Sequence, residues 1–481
     1  MPFQRDESVE FSKEVRDPVH GWIRLTREEA RLIDDSMYLQ RLRYVGQLGL
    51  VYLTYPTARY TRFDHSLGTM YLAHRIAEEA LGKMDGRRLA EVRESMGIHD
   101  DGVDQLLEHV RLAALHHDVG HIPLSHTLEG ILSRNYRAAG CGVELDESLF
   151  KAMKEHEAAG FLITMSGDFK KVMESAAGGV NVDAVRALAF PSPGGRPPLL
   201  HSILSSSLDA DRMDYVLRDI YFTGAGVGTN ALDVERLVQY VYLDGDELLF
   251  DEKAKVFLEG FAIARYNSYK WVYFHHKPLL FTKIARDLLE KLIGRHDYPC
   301  LLLRFIAGGI GNTLELFKVT DDYFTSLLPD LAAELPEAEM LLSRRTPYKP
   351  LWKRDNDYLE ALGGRAAWLN DALDALRAGG TDPETVIEKG LSDKLRCGID
   401  CVKVIIPRFD KSFKSLMKGK AGTVTTIWDS SPLVRAIDES WRYSPHAFIY
   451  VNENCGCDRA AVVKSLLETV EELLTGKSGS L

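Results

Sequence analysis

Histidine and aspartate concentrate in four short segments, and these residue types could together hold a metal ion. The segments are RFDHS at 62–66, HHDVGHIPLSH at 116–126, KEHE at 154–157 and DADRMDYVLRD at 209–219. A metal that activates water needs imidazoles and carboxylates that converge while one coordination position stays open. The adjacent His117 and Asp118 supply both types, and His65 and Asp211 could complete the set from elsewhere in the chain.

Two helices would position these residues. The segment 107–119 is apolar on most sides, which predicts a buried helix that ends at Gly120 and Pro123. Within 208–220 one apolar stripe has helical spacing and a polar stripe follows it on another face. The apolar stripe contains Met213, Val216, Leu217 and Ile220, and the polar one Asp211, Asp214, Tyr215, Arg218 and Asp219.

Each of these signals has an ordinary explanation. A single His-Asp pair is usually not a metal site, histidines also fill cores, and charged residues on one helix face are usually solvated. What favours a site here is that all the segments occur together and in a specific order.

That order resembles the HD-domain deoxynucleoside triphosphate triphosphohydrolases, in particular prokaryotic HD phosphohydrolases related to the mammalian SAM- and HD-domain enzyme that degrades dNTPs. The resemblance covers about residues 13–330. It is carried by DPVHGWIRL at 17–25, QRLRYVGQLG at 40–49, RFDHSLGT at 62–69, HHDVGHIPLSH at 116–126, HE at 156–157 and LDADRMDYVLRDIYFTG at 208–224. One HD motif is unspecific, whereas this ordered set is specific for the family.

The resemblance implies that His65, His117, Asp118 and Asp211 bind a divalent metal ion. Ligand type alone does not distinguish Mn, Fe, Mg, Co, Ni and Zn. The implied reaction is hydrolysis of a dNTP at the α-phosphorus to deoxynucleoside and inorganic triphosphate.

The leaving 5′ oxygen needs a proton, and the resemblance implicates His126 and His156. Glu129 follows His126 at i, i+3 and could orient its imidazole, so we favour His126 as general acid and His156 as a substrate contact. The alternative for Glu129 is a solvated helix residue.

The resemblance also assigns a substrate pocket. Arg62, His121 and Arg212 are candidate phosphate contacts, and Arg212 stands where the mammalian relative has lysine. The sugar contacts are Gln47, Leu48, Tyr215, Asp219 and Tyr273, with Tyr215 and Asp219 on the 3′ hydroxyl. Leu48 would exclude ribonucleotides by filling the space of a 2′ hydroxyl, although a leucine is more often a core residue.

Family members are commonly tetramers in which nucleotides bridge subunits, so we expect a homo-oligomer, a dimer or tetramer, and a regulatory dGTP, GTP or other nucleotide. The matching positions are Lys13, Asp35, Gln40, Arg43 and Arg236. The segment FDEKAK at 250–255 reproduces a further basic pair only approximately, through Lys253 and Lys255. The alternative is that these residues are ordinary surface charges.

Four cysteines flank two predicted strands near the C-terminus. Cys397 and Cys401 precede the strand at 402–407, and Cys455 and Cys457 follow the strand at 447–452. If the strands pair antiparallel, the four thiols could meet around a structural zinc ion. The alternative is four unrelated reduced thiols, and six cysteines in the whole chain do not indicate a secreted disulfide framework.

The composition of the chain narrows the class of protein, its partners and its cellular location. The chain has 481 residues, 45% hydrophobic and 27% charged, which is typical of a globular protein, and its net charge of −11 argues against nucleic acid as a partner. The polar opening and the lack of a long apolar run predict a cytoplasmic protein without a membrane partner.

The predicted fold is mainly α. It has a helical HD core with a short β-hairpin at 241–250, in a domain spanning 1–330, and a helical linker and small α+β region at 331–481. Helices are expected at 28–48, 282–293 and 459–474. Two rival functions stay open, another HD-type nucleotide phosphohydrolase or phosphodiesterase, and a non-catalytic nucleotide-sensing scaffold.

Overall fold

The computed structural model describes residues 10–98, 102–226, 232–378, 382–407, 413–419 and 422–475. The first nine residues, part of the polar opening, lie outside the described residues. As predicted, the described chain is mainly helical. None of its helices combines the length and the apolar character needed to cross a bilayer.

The helices of the first two thirds of the chain surround the HD segments. They are α1 (Arg27–Asp35), α2 (Met37–Arg41), α3 (Arg62–Leu81), α4 (Gly86–Ser95), α5 (Val103–His116), α6 (Ile131–Asn135), α7 (Glu147–Ala152), α8 (Glu155–Met165), α9 (Gly167–Ala176), α10 (Val182–Ala189), α11 (Ala210–Thr223), α12 (Val234–Val238), α13 (Lys255–Ser268), α14 (His276–Leu292), α15 (Asp297–Ile306), α16 (Thr313–Leu316) and α17 (Asp321–Leu331).

The remaining helices are α18 (Pro336–Ser343), α19 (Asp355–Leu362), α20 (Ala366–Ala378), α21 (Pro383–Leu395), α22 (Ile427–Ser430), α23 (Pro432–Ser440) and α24 (Arg459–Thr475). The strands are β1 (Lys13–Asp17), β2 (Gly21–Leu25), β3 (Val241–Asp244), β4 (Glu247–Asp251), β5 (Tyr348–Pro350), β6 (Val402–Ile405), β7 (Leu416–Lys418), β8 (Val424–Thr426) and β9 (Phe448–Asn452). The hairpin predicted at 241–250 is therefore present as β3 and β4, joined at Gly245 in the left-handed region.

The helix expected at 28–48 is broken. The chain forms α1 and α2 and then short 3-10 turns. Ser36 separates the two helices, because its hydroxyl accepts a hydrogen bond from the N–H of Leu39 and starts α2 anew. The helix expected at 107–119 is α5, but it ends at His116, so His117 and Asp118 lie in the turn that follows.

Helix α3 packs against α5 and α11, and these three helices frame the site. Gly68 of α3 permits the close approach of α11, because a Cβ there would lie 1.8 Å from Oδ1 of Asp214. Behind the three helices, buried Arg111 of α5 pairs with buried Glu29 of α1, with Nη2 2.7 Å from Oε2. Apolar residues of all these helices form one continuous core.

The C-terminal region is joined to the first region through strand pairing. The described strands form a hairpin β1-β2, a sheet β3-β4-β7-β8 and a sheet β5-β9-β6. β7 pairs parallel with β4 of the predicted hairpin, across the boundary expected near residue 330. β6 and β9 pair antiparallel, as the cysteine argument required.

The cysteines differ from the expectation. Disulfides join Cys141 to Cys300 and Cys401 to Cys455, whereas Cys397 and Cys457 are free thiols. The alternative of four unrelated reduced thiols is therefore wrong for this C-terminal group. The expected strand pairing does bring Cys401 and Cys455 together, but the spacing did not predict that they are bonded, and no sequence pattern indicated the Cys141–Cys300 bond.

Candidate metal centre and substrate cleft

The four predicted metal ligands converge from α3, the turn after α5, and α11. Nε2 of His65 lies 2.9 Å from Oδ1 of Asp211, and Nε2 of His117 lies 3.4 Å from Oδ1 of Asp118 and 3.9 Å from Oδ1 of Asp211. One ligand atom each from His65, His117 and Asp118 lies within 4.8 Å of the others. Two imidazoles and two carboxylates thus face one small volume.

The donor set fits a metal ion. Nδ1 of His117 donates to the carbonyl of Ala114 at 2.7 Å, which fixes the ring and leaves Nε2 facing the cluster. That Nε2 atom is buried and has no hydrogen-bond partner. A buried nitrogen of this kind normally has a partner, and a metal ion would supply one.

A buried carboxylate orients His65 from behind. Nδ1 of His65 lies 2.7 Å from Oδ2 of Asp214, which is itself held by Arg218 and by His20. Burial lowers the pKa of His65, but the hydrogen bonds that its ring donates to Asp211 and Asp214, together with the charges of these carboxylates, outweigh burial and raise the pKa to about 10. The pairing of a ligand imidazole with a carboxylate is the arrangement that fixes the ring in metal sites.

Arg62 does not project freely into the cleft. It is buried, its Nη1 donates to Oδ2 of Asp118 at 2.6 Å and its Nε donates to Oγ of Ser125 at 2.8 Å. Burial on its own would raise the pKa of Asp118, but the charge of Arg62 holds this pKa well below its usual range. Only Nη2 of Arg62 lacks a partner, so a phosphate contact would have to use that atom.

The turn that carries His117 and Asp118 is fixed by a buried arginine and a glycine. Nη2 of Arg41 donates to the carbonyls of Val119 and His121 at 2.8 and 2.7 Å. Gly120 allows the start of α8 to come close, since a Cβ there would lie 2.0 Å from the carbonyl oxygen of His156. The turn and His156 are thereby held at a fixed separation.

A second cluster of histidines lies beside the first. Nδ1 of His126 and Nδ1 of His156 bond the two oxygens of Glu129 at 2.7 and 2.6 Å. Burial on its own would raise the pKa of Glu129. The charge of His156 and the hydrogen bonds of both histidines outweigh burial and hold this pKa well below its usual range. His121 stacks on His156 with ring centroids 3.9 Å apart, and its pKa is lowered by burial and by Arg62.

The backbone between these histidines is unusual. Leu124 and Ser125 are consecutive non-glycine residues with φ of 60° and 55°. Such conformations cost about 1–3 kcal/mol each and persist only when their surroundings impose them. Here Ser125 Oγ donates to the carbonyl of Gly46 at 2.7 Å, and the Leu124 N–H donates to Asp321 at 2.8 Å.

The predicted sugar contacts lie together at the other end of α11. Buried Asp219 accepts hydrogen bonds from the hydroxyls of Tyr60 and Tyr273, and burial raises its pKa to about 6. Leu48 and Tyr273 pack against the same small apolar cluster. Oε1 of Gln47 is buried without a partner, so this predicted sugar contact has an unused acceptor. Tyr215 stands one turn before Asp219 and is partly buried.

Arg212 and Lys154 are two further cations within the four histidine- and aspartate-rich segments. Arg212 donates to Asp209, which draws its guanidinium toward the start of α11. The ammonium of Lys154 lies 2.8 Å from Oε1 of Glu157, and the charges of Glu157, Glu129 and Asp211 raise its pKa against the effect of burial. Lys154 is a further candidate phosphate contact that was not predicted from the sequence, although it begins the KEHE segment.

The predicted regulatory residues are exposed or partly exposed and lie on several elements. Lys13 pairs with Asp34 at 3.0 Å beside Asp35, and Nε of Arg43 donates to Oε1 of Gln40 at 2.9 Å. Arg43 also lies over the ring of Phe63, 3.6 Å from its centroid. Arg236 is exposed on α12. Lys255 donates to the carbonyl of Ser430 at 2.9 Å, and Lys253 is exposed.

A protein-family model described as HD domain matches residues 62–218, which contain all four predicted metal ligands. The chain carries an HD domain. The helices α3, α5 and α11 of this HD domain are those that bring His65, His117, Asp118 and Asp211 together.

Known relatives share this HD region. The chain is 32% identical over 291 residues to an uncharacterized protein of Methanocaldococcus jannaschii, covering 58% of this chain and 49% of that protein. It is 31% identical over 250 residues to the deoxynucleoside triphosphate triphosphohydrolase of Gallus gallus, covering 49% of this chain and 38% of that protein. The chain thus spans about half or less of the length of these relatives.

Solved structures share the fold over more of the chain. A phosphohydrolase from Bacteroides thetaiotaomicron superposes with a TM-score of 0.61 at 20% identity, covering 92% of this chain and all of that one. The fold around the HD domain, including residues beyond 330, therefore recurs in that protein.

Proposed function

We propose that this protein hydrolyses deoxynucleoside triphosphates, with a divalent metal ion, to deoxynucleoside and inorganic triphosphate. The observation that carries the proposal is that a cluster of candidate metal ligands adjoins a carboxylate-linked histidine pair, through His121, and shares α11 with a candidate sugar pocket. All three are arranged along α11 and the turn that follows α5. The similarity to the avian deoxynucleoside triphosphate triphosphohydrolase supports the same substrate class.

His65, His117, Asp118 and Asp211 would hold the metal ion, which when bound supplies Lewis-acid activation of water and of a phosphate oxygen. Asp214 keeps the ring of His65 oriented toward the cluster through its 2.7 Å contact with Nδ1. Arg62 keeps Asp118 ionised, which is the state that a metal ligand needs.

The histidine pair provides the proton for the departing 5′ oxygen. In this proposal His126 donates it, because its side chain is 60% exposed and open to the cleft while its Nδ1 is held by Glu129. An imidazole anchored at Nδ1 presents Nε2 to a substrate. His156 is anchored on the same carboxylate but is only 12% exposed, so it acts as a contact and electrostatic partner.

The sugar pocket selects a deoxyribose. Tyr215 and Asp219 hold the 3′ hydroxyl, with Tyr273 lining the pocket beside Asp219, and Leu48 occupies the space that a 2′ hydroxyl would need. Gln47 offers its unused Oε1 to the sugar. Lys154, Arg212, His121 and Nη2 of Arg62 face the triphosphate as polar contacts.

Oligomerisation and a second nucleotide are part of the same proposal. Gln40 and Arg43 would bind a regulatory dGTP, GTP or other nucleotide in a dimer or tetramer, with Lys13, Asp35 and Arg236. Arg43 lies over Phe63, which adjoins Arg62 in α3, so a ligand on Arg43 could bias the start of α3. That segment and the loop holding Gln47 and Leu48 lie side by side, because the N–H of Arg62 donates to the carbonyl of Val45 at 2.9 Å.

Product analysis tests the proposal. The protein would be incubated with each of the four dNTPs and Mn²⁺ or Mg²⁺, and the products separated by ion-exchange chromatography. Release of deoxynucleoside and triphosphate is the expected result. Monophosphate with pyrophosphate, or diphosphate with phosphate, would assign another HD phosphohydrolase reaction. Binding without turnover under all these conditions would favour a nucleotide-sensing scaffold.

A further inference from the structure

Four cysteines lie at one end of the sheet β5-β9-β6 as two contacting pairs, far in sequence from the HD domain. β6 and β9 pair antiparallel with Val402 opposite Val451, so residues just before β6 lie beside residues just after β9. Cys401 directly precedes β6 and Cys455 ends the 3-10 turn after β9, and these two are disulfide-bonded.

The other two cysteines lie against each other in the same group. Burial raises the pKa of Cys397, and a hydrogen bond with Cys457 adds to that shift. Sγ of Cys457 lies 3.9 Å from the carbonyl oxygen of Cys455. Both thiols are partly exposed, so the group can be reached from solvent.

Two tight turns position Cys397 and Cys457. Arg396 and Gly456, which directly precede Cys397 and Cys457, have φ of 51° and 65°. A left-handed arginine is uncommon and is maintained by its surroundings, here by the N–H of Cys397 donating to the carbonyl of Ser392 at 3.1 Å. The turn at Arg396 ends α21 just before Cys397, and the turn at Gly456 separates Cys455 from Cys457.

Four sulfurs from two short segments match the donor set of a structural zinc ion, which takes four thiolates in a tetrahedron. The disulfide occupies two of them. A dithiol reductant supplies two electrons and two protons, the Cys401–Cys455 bond breaks to give two thiols, and the reductant closes to its own disulfide. Zinc then displaces the four thiol protons as it binds.

We propose that the reduced form of this group, Cys397, Cys401, Cys455 and Cys457, binds one zinc ion. The bound ion would tie the end of α21 to the start of α24. These helices already pack closely, since a Cβ at Gly390 would lie 2.5 Å from Cγ2 of Thr469. The same sheet contacts the start of α14, where the hydroxyl of Tyr450 donates to the carbonyl of His276 at 2.7 Å.

Cobalt(II) is a suitable probe, because thiolate ligands give a sulfur-to-cobalt charge-transfer absorption that His and Asp ligands do not. The HD metal centre therefore stays silent in this measurement. Anaerobically reduced full-length protein should develop this absorption with one equivalent of cobalt, and one equivalent of zinc should remove it. The distant disulfide offers a matched control, since Cys300→Ser removes one cysteine outside the group and should leave the absorption unchanged.

Two further variants, Cys397→Ser and Cys457→Ser, keep the Cys401–Cys455 bond and should therefore fold. Circular dichroism would verify that they are folded. Each should weaken cobalt binding at least about tenfold, because loss of a ligand costs no less than loss of a ligand's hydrogen-bond partner. Reduced wild-type protein without the charge-transfer absorption would overturn the proposal. So would a disulfide that survives reduction of the folded protein, or serine variants that bind cobalt as the wild type does.

Discussion

Oδ1 of Asp321 lies 2.8 Å from the backbone nitrogen of Leu124 and joins the first turn of α17 to the strained turn between His121 and His126. Oδ2 of the same carboxylate accepts the N–H of Gly46 at 3.0 Å, next to Gln47. One side chain from outside the HD match thus fixes both the segment of the proposed proton donor His126 and the segment of the proposed sugar contacts Gln47 and Leu48.

The first prediction concerns how Asp321 makes the stability of the folded protein depend on pH. Burial raises its pKa from 3.8 to about 6, so the folded state holds this proton more tightly than the unfolded chain. Its contribution to stability is therefore largest below about pH 4 and is lost as the pH rises through about 6. The difference in unfolding midpoint between wild type and Asp321→Asn should shrink over this interval. A difference that stays constant from about pH 4 to 7 would contradict the assignment.

The second prediction concerns the metal ligands. Asp211→Ala, or His117→Ala combined with Asp118→Ala, should abolish metal binding and turnover, because each change removes donors that face the common volume. Metal content by mass spectrometry and dNTP hydrolysis are the measurements. Asp183→Ala, an exposed carboxylate on α10, is the matched control and should keep both. Full metal occupancy in the ligand variants would refute the site.

The third prediction separates the two histidines on Glu129. His126→Ala should lower kcat by about 10²- to 10⁴-fold with metal retained, the usual size of a general-acid effect. His156→Ala should mainly raise KM, since it acts as a contact. If His126→Ala turns over at a near-normal rate while His156→Ala does not, the proton donor is His156.

The fourth prediction concerns sugar selection. Leu48→Ala should open space for a 2′ hydroxyl, so the preference for dATP over ATP, measured as the ratio of kcat/KM, should fall by about tenfold or more. Leu53→Ala is the matched control, a partly buried leucine in the following 3-10 turn that is not assigned to the pocket. An unchanged preference would mean that Leu48 is only a packing residue.

The fifth prediction concerns regulation. If a second nucleotide binds at Gln40 and Arg43, Arg43→Ala should lose stimulation by dGTP or GTP and shift the solution mass toward smaller species. Light scattering measures the mass in solution, and dATP hydrolysis with and without the second nucleotide measures the stimulation. Arg31→Ala, an exposed arginine on α1, is the control. A fully active wild-type monomer, indifferent to the second nucleotide, would remove this part of the proposal.

The sequence predicted the helical class, the hairpin at 241–250 and the antiparallel strands near the C-terminus, because periodicity and turn residues are local signals. Through the family resemblance it also named His65, His117 and Asp118, which the structure brings together in a cluster that could hold a metal ion. Helix ends were less well predicted. The single helix expected at 28–48 is interrupted by Ser36, whose capping hydrogen bond competes with helix continuation.

The residues that orient the site were harder to predict. Asp214 was placed on the polar face of its helix, but its contact with His65 depends on the approach of α3 to α11, which Gly68 permits. Asp321 and Arg41 act on backbone groups far away in sequence, and no local pattern marks such contacts. The division near residue 330, and the substrate and regulatory roles, stay predictions.

The parallel pairing of β7 with β4 has a practical consequence for shortened forms of the protein. A chain that stops near residue 330 would leave unsatisfied the N–H and C=O groups that β4 directs toward Leu416–Lys418, next to the apolar side chains of Leu248, Leu249 and Phe250. A bare apolar edge of this kind recruits other strands and promotes self-association. An HD fragment cut there would therefore precipitate or assemble non-natively, and its inactivity would say little about the chemistry of the cleft.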